Sequence, residues 1–118
     1  MARILIVDDA KFMRVTLSKI LKQAGHEVVG EAENGKIAVE LFRELKPDIV
    51  TMDITMPEMC GLEAVKAIRG EHPDAKIIMC SAMGHQKIIV EAIEAGAKDF
   101  VVKPFVESVV LDSIDRVL

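Results

Sequence analysis

Apolar residues follow one another along the chain in two alternating rhythms. Arg3-Ile-Leu-Ile-Val7 is a short, β-branched, continuously apolar run bounded by acids, the pattern of a strand covered on both faces. After it, Met13, Leu17, Ile20, Leu21 and Ala24 fall at helical spacing, and Gly25 stands where a left-handed residue closes a helix. The alternation then repeats. Val28-Val29 predicts a short, more polar strand, and Asn34 is placed to cap a helix that carries Ile37, Ala38, Leu41, Phe42 and Leu45 on one face and ends at Pro47. Residues 48–52 predict a third strand, and Ala64, Val65 and Ile68 a third helix stopped by Gly70 and Pro73. Residues 76–80 predict a fourth strand, and Ile88, Ile89, Ala92 and Ile93 a fourth helix closed by Gly96. Residues 100–102 predict a fifth strand, and Val106, Val109, Val110, Ile114 and Val117 line a last helix.

Strict alternation of strand and helix predicts an α/β protein, a five-stranded parallel sheet with helices on both faces, because right-handed crossovers permit few other closures. No linker, low-complexity tract or repeat interrupts the pattern. The expectation is therefore one domain over residues 1–118, with no output domain beside it. In such sheets ligands bind outside the carboxyl ends of the strands, where the strand order reverses. The chemistry is expected just after each strand.

Composition narrows the function classes. Hydrophobic residues make up 51% of the chain and charged ones 29%, a balance suited to a buried core and unlike disorder. Fifteen Lys and Arg against 19 Asp and Glu leave a net charge of −4, and no basic run occurs, so nucleic acid is not expected as a direct partner. The longest apolar stretches, at 77–80 and 109–111, fall far short of the roughly 18 residues of a membrane span. The N-terminus has no small-residue cleavage site of a signal peptide, and a cytoplasmic monomer without a membrane partner is expected. Cys60 and Cys80 form no CxxC pair, and His26, His72 and His85 lack ligand spacing to either, which disfavours both a disulfide framework and a zinc site.

The residues at the predicted strand ends are Asp8 and Asp9 after the first, Asp53 after the third, Ser81 after the fourth and Lys103 after the fifth. Singly, each has a plain structural reading as a helix cap, a turn residue or a solvated charge. Jointly they do not. Carboxylates about 5 Å apart repel by roughly 3 kcal/mol per pair at an effective dielectric near 20, so the cluster calls for a counter-charge. Hard carboxylate oxygens with no nearby imidazole or thiolate suit Mg²⁺, which keeps waters for a phosphate to replace. A cation, the Lys103 ammonium and the Ser81 hydroxyl around Asp53 would stabilise a phosphoryl group in transfer, with Asp53 as the nucleophile that becomes an aspartyl phosphate.

These residues carry a family resemblance. The acidic pair Asp8-Asp9 after an Ile-Leu-Ile-Val strand, Met52-Asp53 followed by Met56-Pro57 and Gly61, Ser81-Ala82, and Lys103-Pro104-Phe105 together resemble the receiver domain of two-component response regulators, most like the single-domain chemotaxis regulators. The resemblance covers the whole chain. It implies the flavodoxin-like strand order 2-1-3-4-5. It also implies that Asp53 accepts a phosphoryl group from a phosphohistidine on a histidine kinase. Mg²⁺ would be held by Asp9, Asp53 and the backbone carbonyl of Thr55, and Asp8 would support the metal through water. Lys103 would pair with Asp53 and then with the phosphate, across a cis Lys103-Pro104 bond. Ser81 would be the hydroxyl that moves to the phosphoryl oxygen, and Phe100 the aromatic that swings inward, a population shift biased by the new charge. The fourth helix, fifth strand and fifth helix would be read by the target, the flagellar motor switch in a chemotaxis pathway or another protein, and a phosphatase is a further possible partner. The chain would be a switch and not an enzyme, though one that assists its own phosphorylation and dephosphorylation.

Departures from the family pattern qualify this. Phe100 lacks the hydroxyl of the tyrosine common in relatives, Cys60 replaces an Asp or Asn and with it a good helix cap, and Thr55 and Met83 flank the phosphate. Met83 offers no acid or amide to orient water, which predicts slow hydrolysis. Met52, Met56, Met59, Met79 and Met83 are read as gap fillers. Lys87, Glu91 and Glu94 are read as a solvated face. Three other readings compete: a receiver in a phosphorelay outside chemotaxis, a Mg²⁺-dependent phosphohydrolase and a flavodoxin-like electron carrier. The phosphohydrolase would need an Asp-x-Asp signature where the chain reads Asp53-Ile-Thr55, and the carrier is opposed by Asp8-Asp9, which would repel phosphate, and by the absence of Trp and Tyr.

Overall fold

The computed structural model describes residues 1–82 and 86–118. The alternation is realised as β1 (Arg3–Val7), α1 (Lys11–Gln23), β2 (Glu27–Ala32), α2 (Gly35–Leu45), β3 (Ile49–Asp53), α3 (Gly61–Glu71), β4 (Ile77–Ser81), α4 (Gln86–Glu94), β5 (Asp99–Val102) and α5 (Glu107–Val117). The strands form one parallel sheet in the order β2-β1-β3-β4-β5, the flavodoxin-like order. From β1 the chain steps outward to β2, then returns past β1 to β3, so the order reverses between β1 and β3 and opens a crevice at their carboxyl ends.

Burial explains why the strands read as continuous apolar runs. Every residue of β3 and β4 is buried, and successive side chains alternate between two cores. Leu5, Val50, Met52, Ile77 and Met79 pack with Phe42 of α2, Ile68 of α3 and Ile89 of α4 on one face. Ile4, Ile6, Ile49, Ile78 and Val101 pack with Leu17 and Leu21 of α1 and Val110 and Ile114 of α5 on the other. Met52 and Met79 are fully buried and Met56 nearly so, which bears out the gap-filling reading for these three; Met83 and His85 lie outside the described residues. Among the described residues no helix is long and apolar enough to cross a membrane.

Several boundaries differ from expectation, each for a physical reason. β2 extends over six residues where only Val28-Val29 was expected, because it is an edge strand paired to β1 alone and tolerates Glu27 and Glu31 on its exposed positions. Gly70 does not stop α3. The helix continues through it to Glu71, its cost of about 1 kcal/mol overridden by the buried Ala64, Val65 and Ile68, and Pro73 follows beyond the His72 cap. Ile93, Val106 and Val109 are exposed, because α4 and α5 flank the edge strand β5 and their apolar stripes run past the sheet. The caps at Asn34 and the closures at Gly25 (φ +88°) and Gly96 (φ +119°) are as predicted, with Asn34 Oδ1 accepting from the Ile37 N–H at 2.9 Å.

One tie was not legible in the sequence. Asp99 at the start of β5 accepts from the Ser113 hydroxyl at 2.7 Å and from Arg116 Nη2 at 2.7 Å, fastening the edge strand to α5. Burial by itself would push the Asp99 carboxyl up, but these donors and the Phe100 N–H hold it below the ordinary value.

The loop between β3 and α3 is fastened at its far end. The Gly61 N–H donates to the Ile54 carbonyl at 2.7 Å, and a β-carbon at Gly61 would collide with the carbonyl oxygen of Asp53. Gly61→Ala is expected to lower unfolding stability by about 2–3 kcal/mol in urea titrations, since the obstacle is backbone and not a flexible side-chain tip. A loss below about 0.5 kcal/mol would mean the loop moves freely at this point.

Candidate functional site

Because β1 and β3 pair in register through Val7 and Met52, the residues that follow them reach the same edge. Asp53 is the last residue of β3 and Ser81 the last of β4, one residue earlier than expected, so both are held by the ladder itself. Asp8, Asp9 and Asp53 offer carboxylate oxygens that all lie within 4.8 Å of one another. Lys103, just past β5, completes the cluster: its Nζ lies 2.7 Å from Asp8 Oδ2 and 3.1 Å from Asp53 Oδ1. The Lys103-Pro104 peptide is cis, as the resemblance implied, and the Lys103 N–H donates to the Ser81 carbonyl at 2.7 Å.

The lysine is shared unequally, and the nearer partner is Asp8, not the expected Asp53. Asp8 is fully engaged. Its Oδ1 accepts from the Ala10 N–H at 2.9 Å, its own N–H donates to the Ala32 carbonyl at 3.0 Å, and its carbonyl accepts from Arg14 Nη1 at 2.7 Å. Neither Asp8 nor Asp9 is the cap of α1; that position is Ala10, which contributes no side-chain hydrogen bond. Asp9 is exposed, whereas the side chains of Asp8 and Asp53 keep 4% and 9% of their surface.

Burial sets the electrostatics. It pushes the Asp53 carboxyl up to about 6, with the Asp8 charge adding to the rise and the Lys103 hydrogen bond opposing it. Burial would lower the Lys103 ammonium, but hydrogen bonds to Asp8 and Asp53 raise it overall, so it stays charged. The buried Cys80 thiol, register partner of Asp53, is pushed far up and supplies neither a nucleophile nor a ligand. Asp53 Oδ1 accepts from the Ile54 N–H at 3.0 Å as well as from Lys103, leaving Oδ2 without a hydrogen bond among the described residues.

Ser81 is fully buried, and its hydroxyl has no hydrogen-bond partner among the described residues. Such a group is expensive unless something fills its valence in another state. Phe100 is 42% exposed on β5 and does not point into the core. Thr55 is exposed in the loop after β3 and lines a cavity with Ile54, Met56 and Cys60. Cys60 caps α3 without a side-chain bond to the helix backbone, as expected of the missing Asp or Asn, and its thiol instead donates to Glu63 Oε1 at 3.3 Å.

The donor set fits a hard divalent cation. Three carboxylates within reach of one another and one ammonium leave a net negative charge at a partly desolvated edge, and oxygens alone, with no imidazole or thiolate among them, match Mg²⁺. Sequence reasoning found all four of these side chains. It missed Arg14, whose only signal was its helical position one turn after the acidic pair.

Comparison with known proteins agrees with this geometry. Residues 4–115 match the family described as the response regulator receiver domain. The chain is 62% identical to the chemotaxis protein CheY of Thermotoga maritima, over 98% of this chain and 96% of that one, and 59% identical to the CheY of Bacillus subtilis, over 98% and 97%. Among solved structures, the CheX–CheY–BeF3–Mg²⁺ complex from Borrelia burgdorferi superposes with a TM-score of 0.94 at 35% identity, covering 98% of this chain and 87% of that chain. The response regulator domain of Thermotoga maritima CheB superposes at 0.92 with 39% identity, covering 98% and 94%. Fold, acidic edge and sequence converge, and the chain belongs to the response regulator receiver domain family.

Proposed function

We propose that this receiver is a phosphorylation-activated switch of a chemotaxis two-component system, in which Asp53 takes a phosphoryl group from the phosphohistidine of a histidine kinase. The observation that carries the reading is the meeting of Asp8, Asp9 and Asp53 within 4.8 Å beside the Lys103 ammonium. In the transfer the N–P bond of the donor breaks as an O–P bond to Asp53 forms, and the histidine ring leaves with the electron pair. Asp9, Asp53 and the Thr55 carbonyl would hold Mg²⁺, with Asp8 supporting it through water, and the bound ion would supply positive charge for the phosphoryl oxygens. Lys103 bears on the same oxygens from the β5 side and orients the Asp53 carboxylate through Oδ1.

The Ser81 hydroxyl, without a partner among the described residues, supports a role as switch: a phosphoryl oxygen would give it an acceptor. Drawing Ser81 toward that oxygen vacates room behind it, into which the exposed Phe100 turns. The readout surface is the face of α4, β5 and α5, where Val90, Ile93, Phe100, Val102, Val106 and Val109 are all exposed. A change in affinity at this face, for the flagellar motor switch protein, is the output. The high identity to relatives named chemotaxis protein CheY favours that pathway over another phosphorelay. With a single phosphorylation per chain as its product, the protein acts as a signal carrier, assisting its own phosphorylation and dephosphorylation.

Two experiments test the reading. Intact mass after exposure to a small acyl-phosphate donor should rise by one phosphoryl group with Mg²⁺ present, and neither with a chelator nor in Asp53→Asn; equal labelling of that variant would remove Asp53 from its role. Lys103→Ala leaves Asp8 and Asp53 facing each other without their ammonium. In chelator at pH 8 its unfolding free energy should fall by about 3 kcal/mol, and saturating Mg²⁺ should narrow the gap to wild type. Equal stability of the two proteins in chelator would contradict the shared-lysine account.

A further inference from the structure

The Asp9 carboxylate is the one metal-facing group of the cluster that the protein itself does not hold. None of the hydrogen bonds among the described residues reaches it, and it is exposed. Its direction is therefore set by the backbone of the turn from β1 into α1, above all by the peptide that joins Asp8 to Asp9. Locally that turn is held by the Asp8 carboxylate, whose Oδ1 accepts from the Ala10 N–H at 2.9 Å, while the cap position, Ala10, contributes no side-chain bond to the helix. Rotation of a single peptide there would swing the Asp9 carboxylate away from Asp53.

Arg14 holds that peptide. Its Nη1 donates to the Asp8 carbonyl oxygen at 2.7 Å, and its Nε donates to Glu31 Oε1 on β2 at 2.9 Å. The Arg14 side chain keeps only 14% of its surface and its bond to the Asp8 carbonyl is partly buried, while Glu31 at the other end keeps 45%. A guanidinium offers two donors in a fixed plane to two acceptors on different strands, which a lysine ammonium on a flexible stem does not reproduce. The Asp8 N–H, bonded to the Ala32 carbonyl at the end of the same β2, fixes the other side of the residue. We propose that Arg14, anchored by Glu31, is a positioning residue of the cation site, which holds the Asp8–Asp9 peptide so that Asp9 stays aimed at the ion. The inference rests on the cation-binding reading of the acidic edge.

Two effects of the guanidinium oppose each other. As a positive charge near the acids it would weaken binding of a divalent cation, and its removal would tighten it; as a brace it would strengthen binding, and its removal would loosen it. Orienting partners behind metal ligands change affinity by roughly 10–100-fold, and the guanidinium charge is already paired with Glu31 at 2.9 Å, so the brace should win.

Calorimetric titration of the folded protein with Mg²⁺ alone decides between them. Arg14→Ala is expected to raise the Mg²⁺ Kd about tenfold, and Arg14→Lys, which keeps the charge and loses the planar fork, to raise it nearly as much. Glu31→Gln keeps the guanidinium and slackens its anchor, with a rise of about two- to threefold expected. It also serves if Arg14→Ala does not fold. A structural role alone would lower the thermal midpoint of these variants and leave Kd unchanged. Wild-type-like or tighter Mg²⁺ binding by Arg14→Lys and Glu31→Gln overturns the positioning role while leaving the cation site intact. No Mg²⁺ heat from the wild type itself overturns both.

Discussion

Three carboxylates brought to one edge of the sheet around a single ammonium are the constraint on which the rest of the molecule turns. Asp8 and Asp53 are almost fully removed from water, and Lys103 lies within 3.1 Å of both, so the cluster is neutralised only in part. A fold that keeps this arrangement carries a standing electrostatic penalty, expressed in the raised carboxyl of Asp53. The penalty is relieved by positive charge arriving from outside. The energy that makes the free site uncomfortable is the same energy available to capture a cation and, with it, a phosphoryl group.

The scaffold that carries that penalty is closely packed. Two apolar layers, one under α2, α3 and α4 and one under α1 and α5, clamp a sheet whose central strands are wholly buried. The reversal of strand order between β1 and β3 leaves their carboxyl ends facing a crevice with no strand to fill it, and the acids occupy that gap. The Gly61 contact with the Asp53 carbonyl and the Arg14 bridge brace that edge. A group of exposed apolar residues lies along β5 and its flanking helices, where the edge strand is paired to β4 and tied to α5 by Asp99, Ser113 and Arg116.

Most of the fold was legible because its signals are redundant. Continuous apolar runs such as residues 3–7 carry length and composition at once; Gly25 and Gly96 punctuate them by a backbone conformation that few other residues adopt, and Asn34 by its side-chain cap. β2 was understated because an edge strand has only one neighbour to demand apolar residues, and Gly70 was misjudged because local propensity yielded to packing. The exposure of Ile93, Val106 and Val109 could not be read from periodicity, which reports an apolar stripe but not how far the sheet beneath it extends. The site was found from the order of residues at strand ends. What escaped was the set of long-range polar ties, Arg14 to the Asp8 carbonyl and Asp99 to α5, since a charged residue on a helix reads as solvated until its partner is located.

The central claim concerns the field at Asp53, and a pH titration of its side-chain carboxyl by carbon-13 NMR reads that field directly. With chelator present, the account predicts a midpoint at about 6. A carboxyl raised in the folded state costs stability as pH rises from its unfolded value near 4 through that midpoint, so metal-free protein should unfold more easily across the same interval. Saturating Mg²⁺ should move the midpoint well down. An ordinary carboxylate midpoint near 4, indifferent to Mg²⁺, would contradict the account.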